Sequence, residues 1–501
     1  MLRFPKHLVK GIICAPGRTR TYDRQIRRLL LYPLSYGGLG SSLASRRRLA
    51  RHLIPYVLSE ALVTPGGAAW IVRGTHIWAG YGRAMRAPGS KPFPDTVGWR
   101  QIAVPAYGPT VLVSIGQGAI LPLVALSARA LGASVGTAAV VVALIGIGHL
   151  IGDLPAGALA ARIGEKRALI AACILDVVAL LGAFLASSLP LLAAAIFVFG
   201  LSSAVFSLAR QAYLTEAIPL RMRARALSTL GGTFRLGIFI GPFAAAAIVL
   251  HASIGAAYGF AAIMSAAAAI LIAFLPDVSR EHRREAVEAS WRHRSVASVL
   301  AEHKRVLLTL GLGVMIISAA RATRQSIVPL WAESQGVDAA TTSVIFGISA
   351  GVDLLLFYPG GAIMDRFGRV FVAVPSMLVL GACFVLLPLS HQVVTIGLVA
   401  ALMGLGNGLS AGLVMTLGAD ASPRVDRAQF FGGWRLCADF GNAGGPVVIG
   451  AVSAVASLAV AAVTMGVISW LGSGWLIKWV PRYAVHTRGP AQPLIEKIRE
   501  P

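Results

Sequence analysis

Pro155-Ala-Gly157-Ala-Leu-Ala-Ala161-Arg162-Ile-Gly164 returns 204 residues later as Pro359-Gly-Gly361-Ala-Ile-Met-Asp365-Arg366-Phe-Gly368. Two further stretches keep that spacing. Glu216-Ala217-x-Pro219-x-x-x-Arg223 returns as Asp420-Ala421-x-Pro423-x-x-x-Arg427, and Gly237-x-x-x-Gly241-Pro242 as Gly441-x-x-x-Gly445-Pro446. Gln117–Leu123 (QGAILPL) has a looser echo in Arg324–Leu330 (RQSIVPL), 207 residues on. One offset held across three separated motifs marks an internal duplication. Its halves are 101–278 and 305–481, joined by a basic cytoplasmic linker at 279–304 and followed by a tail at 482–501.

Working outward, both halves are made of apolar runs. The chain has 501 residues, 56% hydrophobic and 13% charged. A soluble domain carries about 25% charge, so this composition excludes an ordinary soluble enzyme, a disordered chain and a coiled coil. A helix crossing ~30 Å of hydrocarbon needs ~20 residues. Twelve runs meet that length, at roughly 103–128, 135–160, 168–187, 190–214, 223–250, 254–275, 305–331, 339–363, 370–389, 393–418, 428–454 and 458–479. They are too long for barrel strands, and lipid leaves no other partner for backbone amides, so they read as helices. The expected fold is an all-α polytopic membrane protein, twelve transmembrane helices in two pseudo-symmetric six-helix bundles.

The formal charge is +24. Beyond residue 100 the basic residues sit mainly between apolar runs, after spans two, four, six, eight, ten and twelve, and the intervening loops hold almost none apart from Arg129. Positive-inside logic puts both termini and the linker in the cytoplasm, in a plasma (inner) membrane. Juxtamembrane charge of this kind meets lipid head groups and gives no nucleic-acid face. Residues 1–100 differ: they hold Arg46-Arg47-Arg48, scattered Pro and Gly, and no clean apolar run. The stretch 15–38 resembles a transfer-RNA gene read as protein, which implies a start at Met85 and little order before it; the alternative is a basic arm on anionic lipid.

The short loop Gly361-x-x-x-Asp365-Arg366-x-Gly368-Arg369 resembles the signature of the major facilitator superfamily, kept nearly whole in the second half. The first half retains Gly157, Arg162 and Gly164 but has Ala161 at the acidic position. Gly237-x-x-x-Gly241-Pro242 resembles the glycine-proline motif of the drug–proton antiporter branch, with Ala244-Ala245 replacing its trailing glycines. The resemblance implies a secondary transporter, not an enzyme, that moves a small organic solute by alternating access, with protons as coupling ion, efflux as the direction and metabolite uptake as the alternative, and a monomer in lipid. No cofactor is implied.

The motif residues have physical roles. Gly157 and Gly361 would let helix backbones approach closely. Gly164 and Gly368 would end helices in the positive-φ region. Asp365 would meet the helix dipole at the start of span five, and Arg366 and Arg369 would hold carboxylates or helix C-termini, latching the halves. Gly241-Pro242 and Gly445-Pro446 permit kinks inside long helices.

Charges inside spans cost ~2.5–3.5 kcal/mol on insertion scales and usually line a polar cavity or pair. Arg235 lies ~18 Å into span five at 1.5 Å per residue. Its repeat mate is Asp439, and that of His149 is Asp353. The resemblance implies that spans five and eight pack together, as do two and eleven, giving cross-half pairs Arg235–Asp353 and His149–Asp439. Arg321 and Arg324 share a face of span seven; they would line the cavity, favouring an anionic group, or pair with Glu333. Arg324 aligns with Gln117 of span one. Asp176 and Asp153 are further proton-carrier candidates, and for Asp153, a turn above the signature loop, a latch role is the favoured reading. Arg210 resembles the fourth-helix arginine of the antiporter branch. Asn407 and Ser410 read as helix glue.

Other chemistries lack their residues. Cys14, Cys173, Cys383 and Cys437 form no CxxC, and His149 and Asp153 have no third metal ligand. There is no Gly-x-x-x-x-Gly-Lys-Ser/Thr and no Gly-x-Ser-x-Gly. A membrane-embedded enzyme or a non-transporting receptor stays as the alternative from another class.

Overall fold

A computed structural model of the chain describes residues 99–217, 223–275, 296–423 and 427–483. The expectations for residues 1–98, for the turn before span five and for most of the linker lie outside the described residues. Within them the chain is helical. The long helices are α1 (Trp99–Ile120), α2 (Val135–Ile163), α3 (Glu165–Phe184), α4 (Leu189–Ala217), α5 (Arg223–His251) and α6 (Ile254–Ala273). They are followed by α7 (Leu312–Ser334), α8 (Ala339–Phe367), α9 (Val370–Leu386), α10 (Val393–Leu409), α11 (Arg427–Val455) and α12 (Leu458–Tyr483).

By length and composition ten helices among the described residues are able to cross a membrane, or eleven if α1 is joined to its continuation Leu123–Ala130, bent from it by 42°. The bend falls at Pro122, which has no N–H to carry the ladder onward. Helix α11 is 29 residues long but carries Arg435, Asp439 and Asn442, and it is not among these ten. The outer surface is apolar: Phe274, Leu355, Leu398 and Leu471 are all more than half exposed. Large side chains of this kind are stable outside only where lipid is the solvent.

The duplication is visible in helix boundaries. Helix α8 starts and ends 204 residues after α2, and α11 does so after α5. Caps repeat too. The Ser134 side chain accepts from Thr137 N at the start of α2, and Asp338 accepts from Thr341 N at the start of α8. Gly164 (φ +89°) ends α2 and Gly368 (φ +98°) ends α8, as expected of residues without a Cβ. Packing follows the same scheme in each half. Helix α1 lies against α5 and α6, α2 against α4, and α3 against α4 and α6; α7 lies against α11 and α12, α8 against α10, and α9 against α10 and α12. Across the halves, α2 packs on α11 and α5 on α8.

Two expectations about glycines part company here. The Gly-x-x-x-Gly pairs of α5 and α11 are backbone contacts: a Cβ on Gly241 would collide with the Ile115 carbonyl, and one on Gly445 with the Ala319 carbonyl. Gly441 is closed by the Met315 carbonyl in the same way, and Gly237 by the Ser114 side chain with the Ile115 backbone behind it. Gly157 and Gly361 do not mediate close approach: a Cβ there meets nothing within 4 Å among the described residues. In α8 the close contact is one residue earlier, at Gly360 against Leu409. One residue is a 100° turn of the helix, so the motif glycine faces away from the neighbour that the preceding one touches.

Candidate functional site

Between the halves lies a cavity of about 250 Å³. Helices α1, α2, α4 and α5 of the first half and α7, α8, α10 and α11 of the second line it. Its apolar wall includes Leu121, Val142, Ile145, Phe199, Ile238 and Phe346. Gln117, His149, Arg235, Arg324 and Asp353, all expected from sequence, line it, together with Gln325, Asn407 and Asn442.

The charged members are held as follows. Arg324 is 6% exposed; its Nη1 donates to Ser349 Oγ at 2.7 Å and its guanidinium lies 5.3 Å from the Phe346 ring. Arg235 stacks over Phe357 at 4.8 Å. Asp353, also 6% exposed, accepts from Asn407 Nδ2 at 2.7 Å through Oδ2, while Oδ1 has no partner. Asn407 is therefore helix glue of a particular kind, fixing the one acid of the cavity. Gln117 Nε2 donates to Ser203 Oγ at 2.9 Å. The expected Arg235–Asp353 ion pair is not made: among the described residues no ion pair within 4.0 Å joins them, and Arg235 lies over the Phe357 face instead. Both do reach the same cavity, from α5 and α8.

Arg321 does not line the cavity. Helix α10 breaks at Ser410 before resuming at Leu413, and the break frees backbone carbonyls. Arg321 Nη2 donates to the Ser410 carbonyl and to its hydroxyl, the latter at 2.8 Å. Glu333 takes neither Arg321 nor Arg324. It pairs with Arg129 at 3.0 Å, and Arg129 Nη1 also holds the Ala133 carbonyl at 2.6 Å. This bridge joins the end of the α1 continuation to the end of α7, one half to the other.

At the other side of the cavity a second cross-half bridge joins α11 to α2. Arg435 Nε donates to Asp153 Oδ2, Arg435 Nη2 to Ser207 Oγ at 3.0 Å, and Asp439 Oδ2 lies 4.0 Å from the same Nε. Both acid side chains are 7% exposed. Asp153 Oδ1 and Asp439 Oδ2 are buried with no hydrogen-bond donor. Asp439 is thus tied to Arg435 and Asp153, and the His149–Asp439 pair is not made; His149 instead feels Asp153. Arg435 was not singled out by sequence reading. Its available signal was asymmetry: an arginine eight residues into α11 whose repeat mate is Gly231.

The remaining expected residues sit elsewhere. Asp176 is buried inside the first half, accepting from Ser202 Oγ at 2.7 Å and Ser265 Oγ at 2.5 Å. Arg210 packs its guanidinium over Phe206 and Phe234, at 5.7 and 5.0 Å. In the signature loop Arg369 does hold a carboxylate and a helix C-terminus, Asp420 Oδ2 at 3.0 Å and the Met364 carbonyl at 3.1 Å. Both partners belong to its own half, so this contact does not latch the halves together. Asp365 is 79% exposed, 3.5 Å from Arg369, and Arg366 lies over Phe367. Arg162 is exposed, and Lys166 takes the helix-end role in the first half, donating to the Ala273 and Leu275 carbonyls. Pro242 and Pro446 lie inside their helices, with Pro446 on the cavity wall.

No curated protein sequence matches the chain. Among solved structures, it is similar to a POT family transporter in complex with a thioalcohol-conjugated peptide, at 12% identity and TM-score 0.64, over 77% of this chain and 96% of that one. A D-xylose-proton symporter superposes at 15% identity and TM-score 0.61, over 78% of this chain and 99% of that one. The Major Facilitator Superfamily profile matches residues 110–352 and again 310–500. Profile, duplicated helices and an interface cavity agree, and the chain belongs to the Major Facilitator Superfamily: it is a membrane transporter rather than an enzyme.

Proposed function

We propose that the protein carries a small organic solute across the plasma (inner) membrane by alternating access, with twelve spans in two pseudo-symmetric bundles and both termini in the cytoplasm. The observation that carries this reading is the placement of the cavity between two ionic bridges that each join one half to the other. Arg129–Glu333 seals the end where the loops lack positive charge, taken as outer. Arg435 with Asp153 and Asp439 seals the inner side. Each bridge has to break for its side to open, which is how a rocking carrier exposes one cavity to two compartments.

Coupling to protons is assigned to the inner bridge. Two buried acids bracket one guanidinium there, and a donorless oxygen on each leaves a place for a proton between them. His149 on α2 and Arg210 on α4 lie within electrostatic range of this bridge. Protonation weakens the hold on Arg435 and favours inner opening. Export is the direction proposed, supported by the glycine-proline crossings of α5 on α1 and α11 on α7. The test is reconstitution in vesicles under an imposed pH gradient. Solute movement with matching proton movement is expected. Solute movement indifferent to the gradient, in wild type and in Asp153→Asn alike, removes the coupling assignment.

A further inference from the structure

The transporter reading leaves the solute unnamed, and the charge balance of the cavity narrows it. Arg235 and Arg324 line the cavity and neither belongs to an ion pair among the described residues. Arg324 is nine-tenths buried, spends one Nη on Ser349, and leaves Nε without a partner. Arg235 also has an unpartnered Nε and only an aromatic face beneath it. The two guanidiniums repel each other, and Arg321, fixed on the α10 break, adds to the positive field. Among the described residues Asp353 is the single acid on the cavity wall. It attracts Arg321 and Arg324, yet half of its carboxylate is bound to Asn407.

Buried guanidiniums without a counter-charge are expensive, and an Arg fork with free N–H groups is the usual seat of an oxyanion. We propose that the solute is a small organic anion whose carboxylate bridges Arg235 and Arg324, with its body against the apolar wall. The proposal rests on the transporter reading of this same cavity and adds the chemistry of the cargo. At about 250 Å³ the space is below the ~300–1,000 Å³ usual for drug-sized ligands, so the body is short. Phe346 and Phe199 suit an aromatic or branched apolar group. Arg235 comes from α5 and Arg324 from α7, so the anion joins the two halves, and binding favours closure around it. Asp353 is its built-in rival: it attracts Arg324 without pairing with it, and its negative charge opposes an anion arriving in the same cavity.

The experiment uses the full chain purified in detergent, with benzoate, benzamide and benzylammonium as isosteric probes of three charges, and phenylphosphonate as the phosphate-type arm. Thermal stabilisation is read against probe concentration, independently of transport. Benzoate is expected to stabilise with at least tenfold preference over benzamide and benzylammonium. Arg324→Gln and Arg235→Gln each lose that preference, and Asp353→Asn tightens benzoate several-fold. Arg235→Lys, which keeps charge and loses the fork, recovers part of the binding. A stronger response to phenylphosphonate than to benzoate overturns the carboxylate assignment. Equal response to benzoate and benzamide, or weaker benzoate binding in Asp353→Asn, overturns the anion itself. Thiol labelling of cysteines placed at the two ends of the cavity decides the other question. If labelling still alternates between the ends while no anion is preferred, the cargo proposal falls and alternating access stands.

Discussion

Replacing Arg435 by Met removes the cation at the centre of the inner bridge and keeps most of the side chain's volume. Asp153 and Asp439, each 7% exposed, then face one another without the guanidinium between them. Removing one partner of a buried pair typically costs ~3–5 kcal/mol, because the remaining charge stays desolvated. The Arg435 side chain is 32% exposed, so the lower end of that range applies, about 3 kcal/mol. Asp153→Asn alone leaves Arg435 with Asp439 and Ser207, and should cost about 1–2 kcal/mol. If the two residues act as one bridge, the double variant is more stable than the sum of the singles, with a coupling of at least ~1.5 kcal/mol. The assay is a double-mutant cycle on reversible unfolding of the solubilised protein, repeated with Asp439→Asn in place of Asp153→Asn. Additivity within ~0.5 kcal/mol would refute the bridge, and with it the inner seal.

Gly241→Ala and Gly445→Ala should each destabilise the protein by ~3 kcal/mol or more, since the added Cβ strikes a neighbouring carbonyl; Gly157→Ala and Gly361→Ala should stay within ~1 kcal/mol, read from melting of the purified variants. Glu333→Gln breaks a bridge about one-third exposed on each side, so outer-side thiol labelling should rise only a few-fold, for ~0.5–1 kcal/mol; Arg129→Glu with Glu333→Arg should return it to the wild-type rate. The Asp338 carboxyl is held below the usual Asp range by its bonds to Thr341. That contribution is complete at pH above ~4 and disappears as pH falls through the folded value. Asp338→Ala should therefore cost ~1 kcal/mol at neutral pH and less in acid, checked by melts across pH.

How much of this is legible in the sequence depends on how local the cause is. Helix boundaries, the positive-φ turns at Gly164 and Gly368 and the Gly-x-x-x-Gly crossings follow from residues close together in the chain, and their repetition at 204 doubles the signal. The cavity charges Arg235, Arg324, Asp353 and His149 stand out because a charge in an apolar run needs a reason. Partner identity is another matter. Arg235 selects Phe357, Glu333 selects Arg129 and Asp439 selects Arg435, and each choice depends on side-chain reach across an interface between distant segments. Repeat symmetry aligns backbones but says nothing about which rotamer closes a gap of a few ångströms. Arg435 escaped notice for a related reason: its mate Gly231 has no side chain, so reading by symmetry passes over it. Gly157 and Gly361 misled because a motif position fixes the residue and not the face of the helix that meets a neighbour.

Arg129 and Glu333 are themselves 204 residues apart, so each occupies the position of the other in the opposite half. In a dimer of two identical halves that site would set arginine against arginine, or glutamate against glutamate, and the contact would push the subunits apart. Attraction there requires two copies that have diverged. The Arg129–Glu333 bridge is thus a contact that only a heterogeneous pair of halves can own, and it makes the two halves chemically distinguishable where they meet.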